Sequence, residues 1–466
     1  MLKNALLPIL VLFIPSIALS ATLYVPDDYA LIQDAIDAAT PGDTIVVHPG
    51  TYVENIRFSG KAIHLKSSGC ATLTVIDGNS SGSVVTFANS EDRQSVLEGF
   101  TVTNGSGTTI LYTPYGGGIR CVGSSPTIKG NIIRDNRAVD IWLLSGYGAG
   151  IYSSGGAPLI TGNLIHDNVA LESGGGILAN ASAEIVNNRI FSNMAHHGGG
   201  IQGSDTVRIA GNLIYDNIAS DADGEGAGID CDDSVTIDGN TICHNRTPVS
   251  TGAGILCTGT GVVITNTIVW GNTKINGYPA AQITGSPIVS YCDVEGGWAG
   301  TGNLNADPLF ADEANFDFHL TYDSPCRDMA DNASATTTED FEADPRIAYG
   351  TVDIGADEFH THLYVTGDFT PDGLIDGKFV GLPGTNPVGL FIGSGVLDPP
   401  MHTKWGDFHL EQPWILVVLT PIPQNGILVL PSRIPLSYPV PQDIPLQALI
   451  GLNSDSLTNL FVLEVR

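Results

Sequence analysis

Between residues 116 and 272 the hydrophobic and small polar positions recur in a fixed order. Gly116-Gly117-Gly118 leads into Ile119, and the same Gly-Gly/Ala-Gly-Ile shape ends again at Ile151, Ile177, Ile201, Ile229 and Ile255. Eleven or twelve residues after each isoleucine stands an asparagine: Asn131, Asn163, Asn188, Asn212, Asn240 and Asn266. Each asparagine is flanked by apolar positions, three before (Ile128, Ile160, Ile185, Ile209, Ile237, Val263) and two after (Ile133, Ile165, Ile190, Ile214, Ile242, Ile268). Units this short cannot bury a core singly. A repeat this strict predicts stacked units whose isoleucines form ladders along an axis, which is an all-β parallel solenoid.

Within each unit the spacing from isoleucine to asparagine hardly varies, which marks these asparagines as corner residues. A side-chain ladder between rungs is the expected role, and sugar binding is the competing one. A second asparagine (Asn136, Asn168, Asn193, Asn217, Asn245) closes the unit, and the length from there to the next glycine pair varies widely. The variable stretches 137–147, 169–173, 194–197, 218–225 and 246–251 should therefore leave the solenoid at one corner. A rigid scaffold commonly presents function on such loops. Tyr115, Trp142, Tyr147, His196, His197, Asp221, Asp223, Glu225 and Arg246 are expected along that edge.

Outside the repeat, Ile32, Ala35, Ile36 and Ala39 form one helical stripe, with Asp28 as the expected N-cap and Pro41-Gly42 as the stop. A helix here would cover the open first rung. Short strands are expected to follow at 43–47, 52–56, 63–65, 74–78, 84–87 and 96–102. Beyond residue 360 the composition changes to short strands split by prolines, which predicts a small β-sandwich.

The stretch from Ile32, Ala35 and Ile36 through Gly42-Asp43-Thr44-Ile45 to Pro49-Gly50-Thr51-Tyr52 and Ile56 resembles the start of secreted right-handed parallel β-helix proteins of the pectin-lyase-like superfold. That resemblance covers about 21–360 and implies the fold. The superfold hosts lyases, hydrolases, epimerases and non-enzymes, so it singles out no activity. The run from Asn266 to Glu358, including Asp307-Pro308-Leu309-Phe310 and Ser324-Pro325-Cys326, is similar to the C-terminal region of bacterial β-helix proteins called choice-of-anchor Q. The usual Ala-Tyr-Glu ending is Ala356-Asp357-Glu358 here. In that family the region closes the helix, and surface attachment is inferred from the company it keeps, not from its chemistry. The expected organisation is a leader over 1–20, the β-helix over 21–310, a closing region over 311–360 and a β-rich module over 361–466.

The leader follows from Lys3, the short apolar run Leu6 to Ile14 and Ala18-Leu19-Ser20 before Ala21, a pattern for export with cleavage. That run is too short, and too broken by Pro8 and Pro15, to span a membrane. No span is expected in the mature chain, which is read as secreted or held at the cell surface, and as a monomer. The formal net charge of −30 excludes the basic face a nucleic-acid binder needs. Seven cysteines carry no Cys-x-x-Cys pair. Cys231 and Cys257 would stack on neighbouring rungs, either as buried small hydrophobes or as a bridged pair.

Candidate chemistry is sparse. Asp368, Thr370, Asp372 and Asp376 stand at positions 1, 3, 5 and 9 of a Ca²⁺ loop, with Gly373 at position 6. Phe379 replaces the closing carboxylate, so a turn-rich linker competes with this reading. Ca²⁺ is the one cofactor suggested. A lyase would need Ca²⁺-binding acids and a basic residue, for which Arg246 beside the 218–225 acids is the best pair. Asp232-Asp233 is the one feature similar to a polygalacturonase-type hydrolase. Asp221, Asp223, Glu225, Asp232 and Arg246 are therefore the catalytic candidates, weighed against a plain solvated acidic surface. Tyr115, Trp142, Tyr147, His196 and His197 are the ligand-binding candidates. No hydrolase elbow, phosphate loop or metal-helix motif is present. The sequence reads first as a non-catalytic binder of polysaccharide or a cell-surface component. The alternative is a lyase or glycoside hydrolase acting on an acidic or plant/algal-type polysaccharide.

Overall fold

The structure is a computed structural model that describes residues 20–359, apart from 221, 250, 251, 322, 348 and 349, together with the backbone of strands between 362 and 465. Residues 1–19 of the proposed leader, 1–20, lie outside the described residues. The chain folds as a right-handed parallel β-helix. Its rungs build sheets of eleven, ten and nine strands, and a fourth sheet of six very short strands.

One rung shows how the sequence makes the turn. Ile177–Ala179, Glu184–Val186, Arg189–Phe191 and Met194–Ala195 supply one strand to each sheet. Period-two alternation points Ile177, Ala179, Ile185, Ile190 and Ala195 inward. The next rung pairs in register, Ile177 with Ile201, Ile185 with Ile209 and Ile190 with Ile214. A slip of one residue would turn every isoleucine outward, so the ladder fixes the register.

The corner asparagines are buried and bonded from rung to rung: Asn163 donates its backbone N–H and side-chain amide to Asn188 Oδ1, both at 2.9 Å. The second asparagine set forms a parallel ladder, with Asn193 donating to Asn217 Oδ1. Left-handed backbone falls mainly on the residue before the asparagine. Asp135, Asp167, Ser192, Asp216 and His244 all have φ between 52° and 55°. The preceding residue turns the corner, which leaves the asparagine free to aim inward. The recurrence of Asp135, Asp167 and Asp216 has that structural cause.

The helix spans Ile32–Ala38 and buries Ile32, Ala35 and Ile36 on the first rungs. Its N-terminus differs from the expectation. Asp28 accepts from Tyr24 N–H, and the helix start is held by Glu54, which accepts from Ile32 and Gln33 N–H at 2.9 and 3.0 Å. A carboxylate from a neighbouring rung satisfies orphan donors as well as a local cap does.

The far end of the core is covered by Trp298, and Leu304 pairs with Cys292 and Val294 of the last rung. The segment 311–359 instead runs along the flank. Phe318, Leu320, Cys326, Val352 and Ile354 form a second core against Leu213, Cys243 and Ile268, on the outer face of the ten-stranded sheet. Apolar residues on that outer face explain why the chain folds back over it. Further on, antiparallel strands between His362 and Val465 make sheets of three, four and two strands.

Candidate functional site

At the six rungs from Ile119 to Ile255 the chain enters the nine-stranded sheet through a left-handed glycine. Gly226 (φ +64°) and Gly148 (φ +61°) are two of these. A Cβ on Gly226 would lie 2.6 Å from the Cβ of Asp230, and one on Gly148 would lie 2.8 Å from that of Tyr152. Only glycine permits a bend this sharp. It folds the residue before the glycine over the outward-facing residue after the repeat isoleucine. Two rows of side chains therefore meet in a re-entrant corner, and the corner runs as a groove along the axis.

One row is a column bridged rung to rung: Tyr115 to Tyr147, Tyr147 to Ser173, Ser173 to His197 and His197 to Glu225. The other is the outward face of the nine-stranded sheet, where Arg120, Tyr152, Leu178, Gln202, Asp230 and Leu256 stand in register. The rows touch. Tyr115 stacks on Tyr147 at 5.4 Å between ring centroids and meets Tyr152 edge-on at 5.0 Å. His197 lies 3.8 Å from Asp230. Toward the N-terminal end the groove is aromatic, and toward the other end it is acidic.

At the acidic end His196 and His197 stack at 4.1 Å, and His196 bonds Asp223 at 3.0 Å. Burial, then the neighbouring His196, push the His197 imidazole down from its ordinary value, against the pull of Glu172, Glu225 and Asp223. Burial, followed by the charges of Asp232 and Glu225, pushes the Asp230 carboxyl up to about 7. Burial and Asp233 also raise Asp232, opposed by His197. The hydroxyl of Thr258 donates to Asp232.

The expected edge residues thus divide. Tyr115, Tyr147, His197 and Glu225 form one column, with His196 and Asp223 beside it. Trp142 stands away from the groove at the tip of the 139–146 loop, 87% exposed, where Asp140 accepts from the N–H groups of Trp142 and Leu143. Arg246 turns to the opposite corner and binds Asp216 at 2.7 Å, so it serves a rung-to-rung ion pair. Asp221 lies outside the described residues, as do Asp368, Thr370 and Asp372. Asp376 falls in the strand Leu374–Val380, opposite Thr366. Among the described residues no group of three or more His, Cys, Asp or Glu is arranged to hold a metal ion, and no helix is long and apolar enough to cross a membrane.

Sequence reasoning passed over Tyr152, Gln202 and Asp230. The signal was present: they occupy the position after the repeat isoleucine, and Asp230 is the one acid in that column from residue 120 to residue 256.

Residues 38–190 match a family model described as a right-handed β-helix region. No curated protein matches the chain. Among solved structures the chain is similar to a pectin methylesterase from carrot, at 13% identity and a TM-score of 0.31 over 61% of this chain and 82% of that one. It is similar to a pectin methylesterase in complex with a hexasaccharide, at 12% identity and a TM-score of 0.33 over 65% of this chain and 98% of the other. It is also similar to XylC in complex with xylose, at 12% identity and a TM-score of 0.38 over 96% of this chain and all of that one.

Proposed function

We propose that the chain binds a polysaccharide strand lying along the groove. The observation that carries this is the aromatic platform of Tyr115, Tyr147 and Tyr152, set inside a groove that continues past Gln202 to the acidic end. Parallel strands repeat roughly every 4.8 Å, so a linear polymer parallel to the axis meets one new pair of side chains per rung. Tyrosine rings offer an apolar face to the C–H face of a sugar and a hydroxyl to its polar edge. The acidic half of the groove, on a protein at −30, repels polyanions, so the reading narrows to a neutral glycan. The leader-like residues 1–20 and the choice-of-anchor Q resemblance support placing this activity outside the cytoplasm, at a surface.

The test is a neutral-glycan array followed by titration calorimetry. The intact chain should retain at least one neutral glycan, and Tyr147→Ala should weaken it about tenfold, the scale of a lost aromatic contact of ~1.4 kcal/mol. Retention of no neutral glycan, or affinity untouched by Tyr147→Ala, refutes the reading.

A further inference from the structure

Asp230 is anomalous on three independent grounds. First, its position in the face carries Arg120, Tyr152, Leu178, Gln202 and Leu256 on other rungs, so the repeat does not call for an acid there. Second, its side chain is only 9% exposed, yet among the described residues its carboxyl makes no hydrogen bond. His197 Nδ1 lies 3.8 Å from its carboxylate, an ion-pair distance but too long for a hydrogen bond. Buried acids that serve architecture are hydrogen-bonded, as Asp238 is here to Thr265, Asn266 and Thr336. Third, it sits on the floor of a concave corner whose walls carry His197, Glu225 and Asp232. A largely buried acid with no hydrogen bond from the described residues, and only the His197 imidazole at ion-pair distance, needs a reason at the meeting point of a groove, and a reacting ligand supplies one.

Asp232 is its companion. The inward residue between them, Cys231, is fully buried at the end of the strand Ile229–Cys231, and Asp232 follows it directly, so both acids lie on the outward side. Residues two apart along an extended chain have Cα atoms roughly 6–7 Å apart, so carboxyl groups that splay from them can reach the separation of about 6.5–9.5 Å that leaves room for a water between an acid and a base.

We propose that Asp230 and Asp232 form a general-acid and general-base pair that hydrolyses a glycosidic bond of the neutral polysaccharide held in the groove. This rests on the binding reading above. Water oxygen attacks the anomeric carbon, and Asp232 takes the proton that the water loses. The bond from the anomeric carbon to the leaving oxygen breaks with its electron pair on oxygen, and the Asp230 proton neutralises it. Solvent then returns a proton to Asp230 and removes one from Asp232, which balances the cycle without any co-reactant. The environments suit the roles. Burial lifts Asp230 to about 7, so it carries a proton for part of the time at neutrality, while Asp232, raised by burial and Asp233 against the pull of His197, is the less buried of the two. A single displacement on the side opposite the leaving group inverts the anomeric centre.

The full chain is incubated with each glycan it retains. Reducing ends are counted, and the anomer of the first product is read by NMR. The expected result is turnover with inversion. Asp230→Asn and Asp232→Asn should each lower it by roughly 10²–10⁴-fold while glycan affinity changes less than about threefold. An aryl glycoside, whose leaving group needs no proton, should still be cleaved by Asp230→Asn and not by Asp232→Asn. That split separates a proton donor from a residue that merely holds the groove together. Retention of glycan without release of reducing ends overturns the catalytic proposal and leaves the groove reading standing. Neither retention nor release overturns both. Undiminished turnover in Asp230→Asn, or retention of configuration, overturns the assignment of the pair.

Discussion

Asn188 donates twice to a single atom of the next rung: its backbone N–H and its side-chain amide both reach Asn212 Oδ1, at 2.9 and 3.0 Å. Its own Oδ1 accepts the same pair from Asn163, and its amide also serves the carbonyls of Ile160 and Val186. Every polar atom of a fully buried side chain is therefore committed. Asn188→Ala strands the Asn163 donors and two carbonyls. At about 1–3 kcal/mol for each buried group left unsatisfied, it should destabilise the chain by roughly 3–5 kcal/mol, read from the urea midpoint. Asn188→Asp places a carboxylate oxygen against those carbonyls, so its defect should deepen as pH rises from about 4 to 8.

The in-register cysteines Cys231 and Cys257 stand with sulfurs 3.5 Å apart, Cys231 donating to Cys257. That hydrogen bond, then burial, push the Cys231 thiol far up, and burial does the same to Cys121, Cys243 and Cys326 and lifts Cys292 to about 12. Thiolates are the reactive form, so these sulfurs are inert while folded. Cys70 is exposed. With a thiol-specific chromogen at about pH 8, one thiol should react at once and the other six only in denaturant. A total of five in denaturant without reductant would show that Cys231 and Cys257 had bridged.

How much of this the sequence disclosed depends on which interactions are periodic. The isoleucine and asparagine ladders were legible because stacking forces the same residue type to the same place on every rung. The helix cap was not. Glu54 reaches Ile32 and Gln33 from a neighbouring rung, and only the coiling of the chain brings them together. The variable stretches lead to the corner where the two rows meet, since Tyr147, Ser173, His197 and Glu225 end four of them. Their bases proved as regular as the rest, because 137–138, 169–170, 194–195, 218–219 and 246–247 pair as strands of the six-stranded sheet. Asp230 escaped notice for the opposite reason. It lies inside the regular part, and its importance comes from a bend at Gly226 that the sequence marks only as one more glycine.

One turn is built against its own backbone preference. The strands Thr108–Ile110 and Thr113–Tyr115 pair across the two residues Leu111 and Tyr112, with φ of +49° and +74°. Two left-handed residues in a two-residue hairpin call for Asn-Gly, and a bulky side chain there costs on the order of 1 kcal/mol. Both side chains are largely exposed, so little packing offsets the strain. The double variant Leu111→Asn/Tyr112→Gly should raise stability by about 1 kcal/mol and the thermal midpoint by roughly 1–3 °C. A lowered midpoint would mean that the tip makes a contact worth more than its strain.

The flank-packed segment should set the pH dependence of stability. His319 is held between Asp317 and Glu342, at 3.0 Å from the latter, with Asp357 near. Burial pushes its imidazole down, but the hydrogen bonds to Asp317 and Glu342 and the charges of Asp357 and Glu342 prevail and lift it to about 10. A folded value above the unfolded one means stabilisation that is whole below about pH 6.5 and is lost as pH rises through about 10. Asp357 has the same sign. Burial lifts it from an ordinary 3.8 to about 7, against the pull of His319, so its contribution is whole below about pH 4 and fades as pH climbs through 7. Glu91 opposes them. Hydrogen bonds from Asn89, Gly60 and Ser124 outweigh its burial and hold it below its ordinary value, so its contribution is lost on acidification. The thermal midpoint should therefore peak on the mildly acidic side, about pH 5, and fall by several degrees toward pH 9. Asp357→Asn should flatten the descent between about pH 4 and 7, and His319→Gln the descent above it. Amide exchange within 317–359 should accelerate in step, because the ion cluster ties that segment to Arg189 and the outer face of the ten-stranded sheet. A midpoint that rises from pH 5 to pH 9 would contradict the assigned signs.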